Sequence, residues 1–228
     1  MIPSVFALAS QFMRERAEHE RRELEIVAER DRTMLRLLQL ELQPHFLLNA
    51  LPAVSALIAT DVGAASAMLR SLGDLMRVSL ERMHVLEVPL RDELGLLAIY
   101  LEFQRARFRN RLVVRTDVAT NTMDARVPTQ LLQPLVDNAI RHTIERTGRT
   151  GTVHVSAARQ GDELLVGVQD DGPGFHALAE HRCGGGLART RRRLEQLHGA
   201  RQRLELLDGN GHGALVRVVL PFRTVVAA

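Results

Sequence analysis

ELLVGVQDDGPGF, residues Glu163–Phe175, sets an apolar run against a glycine turn with a carboxylate at the joint. Leu164, Leu165, Val166, Gly167 and Val168 have the length and composition of a buried strand, and Asp170 falls where that strand ends. A carboxylate there can accept a hydrogen bond from the exocyclic amine of adenine, while Gly172 and Gly174 let the backbone turn tightly and approach a base. A plain turn explains the same residues, since Asp-Gly and Pro-Gly mark turns widely. The neighbouring segments decide between the two.

Before this stretch, QPLVDNAIRH at Gln133–His142 lies in a helix expected from about Thr129 to Ile144. It carries Asn138, a neutral oxygen ligand of the kind magnesium accepts while keeping several waters. After it, GGGL at Gly184–Leu187 opens a helix expected to reach about Leu197. Glycines ahead of a helix N-terminus leave amides open to phosphate, and equally make a flexible cap. The run Arg189–Arg193, broken by Thr190, reads as a solvated face or, at Arg189, as a grip on phosphate or an acidic partner. No Gly-Lys-Ser/Thr loop exists, which excludes a Walker-type site. Strands are expected at Leu112–Val114, Thr152–Ala157, Glu163–Gln169, Leu204–Leu207 and Ala214–Leu220. With the helices they make an α/β sandwich, a mixed sheet covered by helices on one face.

Upstream the pattern is helical. A run over Val88–Arg109 starts after Pro89, as helices often do. An amphipathic helix carries Met68, Leu69, Leu72, Leu75, Met76, Val78 and Leu80, behind a break at Asp61–Gly63. Another carries Leu47, Leu48, Leu51, Val54, Leu57 and Ile58. Paired antiparallel, the two form a hairpin, and two hairpins in a dimer form a four-helix bundle. Arg14–Leu42 has no Gly or Pro and predicts one long helix, whose heptad positions Ala17, Leu24, Asp31 and Leu38 make an interrupted coiled coil.

QPHFLLN at Gln43–Asn49 joins these helices. A lone histidine on an apolar helix is usually packed or solvated. As a nucleophile, His45 needs a neutral imidazole in line with a terminal phosphate, and a place in the first turn after Pro44 would disfavour its protonation through the helix dipole. Asn49 follows one turn later on the same face, where its amide could orient the ring or a water.

Composition limits the alternatives. The 228 residues suit two compact units or one unit with a stalk, and 46% hydrophobic with 25% charged residues supports a packed core. All basic residues are arginine and the net charge is only +3, so no nucleic-acid footprint is expected. The single cysteine, Cys183, excludes an internal disulfide and fits a reducing cytosol. No stretch reaches the roughly 18 to 20 apolar residues of a membrane span. The chain is read as cytoplasmic, on the inner face of the membrane if it is part of an anchored sensor.

With the four segments in this order, the chain resembles the catalytic half of a LytS-type sensor histidine kinase, whose ATP domain shares a superfamily with gyrase and MutL. The similarity runs from Leu40 to Pro221 and includes VPLRDELGLLAIYLEFQRARFRNRL at Val88–Leu112. The resemblance implies that His45 is the phosphoacceptor, that Asn138 binds magnesium, that Arg141 and His142 lie near the phosphates, and that Asp170 reads adenine. It implies that Gly172, Gly174, Gly184 and Gly186, with Leu187 beside them, frame ATP. It further implies an α+β chain: a stalk over 1–32, a dimerisation and phosphotransfer hairpin over 33–87, a linker helix over 88–110 and an ATP-binding domain of the GHKL (Bergerat) type over 111–228. The partners implied are a second copy of the chain and a response regulator, of the LytTR kind, with no direct contact to nucleic acid. Asp137 stands where the family usually has Glu, Asp171 and Arg189 where it has Asn, Leu48 where Phe is common, and Ala214 where a Thr often follows the last glycine pair.

Two rivals are weighed by residues. An ATP hydrolase of the superfamily needs a carboxylate about one turn before Asn138, and Pro134 stands there. A degenerate module that binds nucleotide without transferring phosphate would lack His45, Asn138 or Asp170, and all three are present.

Overall fold

The computed structural model describes residues 44–82, 84–108, 111–174, 185–209 and 213–224, with the side chains of 44–49 and 185 outside that description. The expected stalk and coiled coil of Arg14–Leu42 lie outside it too. The chain divides into two compact units, Met1–Pro52 and Ala53–Ala228.

Helix α1 spans Pro44–Ile58, the position of Pro44 being one where a missing N–H is tolerated. Its residues Val54 and Leu57, in the second unit, are buried. Helix α2 spans Val62–Glu81 and starts on Asp61, whose carboxylate accepts the Ala64 N–H at 2.9 Å. The break therefore lies at Ala59–Asp61, and Gly63, expected in it, is inside the helix. Met68, Leu72 and Leu75 turn inward, as their spacing predicts, and Ser79 joins them.

Strand β1, Glu87–Pro89, pairs antiparallel with β3, Arg126–Pro128, an element the sequence reading missed because three residues show no periodicity. Helix α3 follows at Leu90–Phe108, packed against α2. Strand β2, Leu112–Val118, is four residues longer than expected. Helix α4 covers Leu132–Ile140 and continues as a wide π turn over Arg141–Glu145. Its expected start at Thr129 is corrected: Gln130 has φ of +58°, which a helix cannot contain. That turn is held by Glu93 of α3, 1% exposed, whose carboxylate accepts the N–H groups of Gln130 at 2.7 Å and Leu132 at 3.3 Å.

Strands β4 (Gly151–Gln160) and β5 (Glu163–Asp170), helix α5 (Gly185–His198), and strands β6 (Arg203–Asp208) and β7 (Ala214–Pro221) complete the unit. The large sheet has the order β2-β4-β5-β7-β6, with β2 parallel to β4 and every other pair antiparallel. Val153, Val155, Ala157, Val166, Val168, Val216 and Val218 bury one face, which α4 covers, with α5 packed beside α4. This is the α/β sandwich expected, and the chain as described is α+β.

Candidate functional site

Strand β5 delivers Asp170 to the edge of the α4 layer, 5% exposed. One carboxylate oxygen, Oδ1, accepts the Gly172 N–H at 2.9 Å and the Ala214 N–H at 3.3 Å. Burial raises the pKa of this group, and those two N–H donors oppose the shift by favouring the anion. Both donors come from glycine turns. Gly213 takes φ of +80°, and a Cβ there would stand 1.7 Å from the Asp170 carbonyl oxygen, so the backbone of the β6–β7 loop lies directly on the strand end. Gly174 faces Gly213 across the same corner, with φ of +83°. Asp171 ties the corner to β4 through the Thr152 N–H, which both its oxygens receive at 2.9 Å.

Helix α4 brings the second set of groups. Asn138 is 6% exposed. Next to it, Asp137 accepts the Tyr100 hydroxyl at 2.7 Å on one oxygen and pairs with Arg141 at 2.9 Å on the other. Gln104 donates to the Tyr100 oxygen at 2.5 Å. Burial and then the Asp137 carboxylate push the phenol well above its ordinary range, so it remains a donor. His142 and Thr143 reach the Asp170 corner: a Cβ on Gly172 would lie 3.3 Å from the His142 carbonyl oxygen. Burial, then Arg146 and Arg141, lower the His142 pKa to about 4, so its ring is neutral near pH 7. Its Nδ1 is buried without a hydrogen-bond partner, and the buried Thr143 hydroxyl lies beside the Asp170 carboxylate, whose ionised form it favours.

The start of α5 closes the arrangement. A Cβ on Gly186 would lie 3.8 Å from the Pro134 side chain, one turn before Asn138 on α4. Leu187 is buried, and Thr190 donates to the Gly186 carbonyl at 3.1 Å. Arg189, Arg191 and Arg192 are exposed, in keeping with a solvated face.

The structure brings Asp170, Gly172, Gly174 and His142 together at one corner of the sandwich; Asn138 and Arg141 lie on α4 and its continuation, and Gly186, next to the buried Leu187, meets Pro134 of α4. Gly184 lies outside the described residues, as do the side chains of His45 and Asn49, whose backbone is in α1. Sequence reasoning missed Tyr100, Glu93, Thr143 and Gly213. The first is the chain's only tyrosine, set amid a helix of leucines, which was the one available signal.

The family described as "Histidine kinase" matches residues 33–112, and the one described as "Histidine kinase-, DNA gyrase B-, and HSP90-like ATPase" matches residues 123–224. Sensor protein LytS of Staphylococcus epidermidis is 27% identical over 198 residues, 82% of this chain and 33% of that protein. The chain belongs to the LytS-type histidine kinase family. Sensor histidine kinase BtsS of Escherichia coli K12 is 33% identical to this kinase region over 176 residues, 75% of the chain and 31% of that protein. The chain spans about a third of the length of the curated relatives it matches. Among solved structures, the catalytic domain of histidine kinase ThkA overlays 60% of this chain and 97% of its own, at 19% identity and a TM-score of 0.47.

The site of this histidine kinase region suits ATP on its own geometry: a buried carboxylate with its second oxygen outside the two N–H bonds described, and an unpartnered ring nitrogen of His142 in the adjoining turn. No cluster of three or more His, Cys, Asp or Glu able to hold a metal occurs among the described residues. A magnesium ion held by the Asn138 amide oxygen together with phosphate and water oxygens fits that donor set.

Proposed function

We propose that this chain is the catalytic part of a two-component sensor kinase, which phosphorylates His45 from Mg-ATP and passes the phosphoryl group to an aspartate of a response regulator, of the LytTR kind. The observation that carries the reading is the Asp170 corner, where a buried carboxylate, oriented by the Gly172 and Ala214 N–H groups, faces the helix that bears Asn138. Asp170 would accept from the base amine, Asn138 would hold magnesium, and Arg141 would meet the phosphates from its anchorage on Asp137. Magnesium would supply charge neutralisation on the phosphates. The neutral His45 nitrogen attacks the terminal phosphorus, the bond to the bridging oxygen breaks, ADP leaves, and the ring proton is lost to solvent. Asn49, one turn on, would steady the ring.

Chemically neutral supports agree with this. Pro134 occupies the position from which a carboxylate would activate water, which favours transfer over hydrolysis. Ile58, Val62 and Leu69 are exposed apolar residues at the hairpin, the sort of surface a homodimer covers. A receiver domain of a response regulator is the partner proposed here. No helix among the described residues is long and apolar enough to cross a membrane.

The test is retention of label from γ-labelled ATP on the full chain with magnesium, followed by chase into a receiver domain. Asp170→Asn and Asn138→Ala are expected to lose the label. Labelling that survives both substitutions would remove the proposed ATP site.

A further inference from the structure

Strand β6 ends the large sheet. Among the described strands it pairs with β7 alone, so the backbone N–H and C=O groups along its other side meet no strand. A groove of about 260 Å³ lies between β6 and helix α5, with Leu204 and Leu206 on one wall and Leu187, Ala188, Arg191 and Arg192, one flank of the helix, on the other. Leu204 and Leu206 stand opposite Val218 and Val216 of β7, which are buried, so the apolar row under the helices runs out to the sheet margin and is half-buried there. The volume is below the roughly 300–1,000 Å³ of pockets that enclose a whole small molecule, and suits a few side chains instead. Arg191 and Arg192 are exposed, and neither pairs with a carboxylate among the described residues. Glu195, further along the same flank, offsets one of these charges and leaves the groove basic. Asp170, Gly172, Gly174 and His142 take no part in lining it.

We infer that this groove is a docking site for an extended acidic peptide of a partner protein, which adds to the free edge of β6 as a further strand. Its alternate apolar side chains cover Leu204 and Leu206, and its carboxylates meet Arg191 and Arg192. The free edge selects main chain in the β conformation. Leu204 and Leu206, two residues apart on one face of β6, match side chains at the same spacing on a paired strand. The two guanidinium groups select Asp or Glu. A helix laid in the groove would leave the edge groups of β6 unmet, and a basic peptide would be repelled by the arginines.

Fluorescence anisotropy of a labelled synthetic peptide mixed with the full chain tests this without turnover. The peptide alternates Val or Leu with Asp or Glu over about seven residues, an ordinary strand length. One control carries Lys in place of the acids, and two others carry N-methyl groups on one or the other alternate set of amides. The expected pattern is saturable binding of the acidic peptide, loss with Lys, and loss with one N-methylation pattern but not the other, since only one set of amides faces β6. Arg191→Glu combined with Arg192→Glu should weaken binding about tenfold or more, as should Leu206→Glu, with ADP affinity unchanged in both. Thermal midpoints show whether Leu206→Glu is folded, and the exposed arginine pair carries the test if it is not. No anisotropy change up to about 1 mM peptide, equal binding of the Lys peptide, or equal binding of both N-methylated peptides overturns the inference. Self-association of the chain that the arginine substitutions abolish, without peptide binding, gives the edge to a second copy and overturns it too.

Discussion

Tyr100, Gln104, Asp137 and Arg141 form a chain of polar contacts between α3 and α4 that ends beside Asn138. The hydroxyl of Tyr100 is both donor and acceptor there, so Tyr100→Phe leaves Gln104 and one oxygen of Asp137 short of a partner in a buried place. The expected loss is about 1–3 kcal/mol, read from urea midpoints. His142 carries a pH dependence. Held neutral by burial and by Arg146 and Arg141, it takes a proton in the folded chain only near pH 4, whereas an unfolded imidazole does so near 6.5. Between those values the unfolded state binds more protons, so this residue's contribution to stability falls as pH drops from about 6.5 towards 4. Urea titrations at pH 7 and pH 5 should show a smaller midpoint difference for His142→Asn than for wild type.

At the scale of elements, loops made by close backbone contact support the site. Gly213→Ala would place a methyl on the Asp170 carbonyl, and Gly161→Ala, also at positive φ, would meet nothing within 4 Å. The second should lose roughly 1–2 kcal/mol for the left-handed conformation alone. The first should lose more and weaken ADP binding, because the Asp170 corner must open, and thermal midpoints with ADP titrations separate the two. Glu93 acts similarly from α3: Glu93→Ala strips the acceptor from the Gln130 and Leu132 N–H groups and should lower the midpoint of unfolding by an amount that Arg91→Ala, at an exposed pair, does not. These supports mark the limit of what sequence shows. The glycine turn and the place of Asp170 at a strand end were legible because their residue types are restrictive and an apolar run stops there. Strand β1, the late start of α4 and the Glu93 cap were not, since each is decided by a partner 37 or more residues away. Thr143 was hidden for a different reason: only the fold shows that Gly151, at the start of β4, makes room for its methyl group.

For the whole molecule, two expectations follow from the hairpin and the sandwich together. The exposed Ile58 and Leu69 predict a homodimer by light scattering, and Ile58→Glu with Leu69→Glu should shift the mass to that of a monomer while ADP affinity is retained. Retained affinity is expected because every residue of the Asp170 corner belongs to the sandwich and its flanking helices. The central claim, that a nucleotide site of this form serves a histidine acceptor, is tested most directly by incubating the chain with magnesium and γ-labelled ATP beside His45→Gln. The account predicts protein-bound label that is lost in acid, survives base, and is absent from His45→Gln. Label that resists acid, or that remains in His45→Gln, would contradict it.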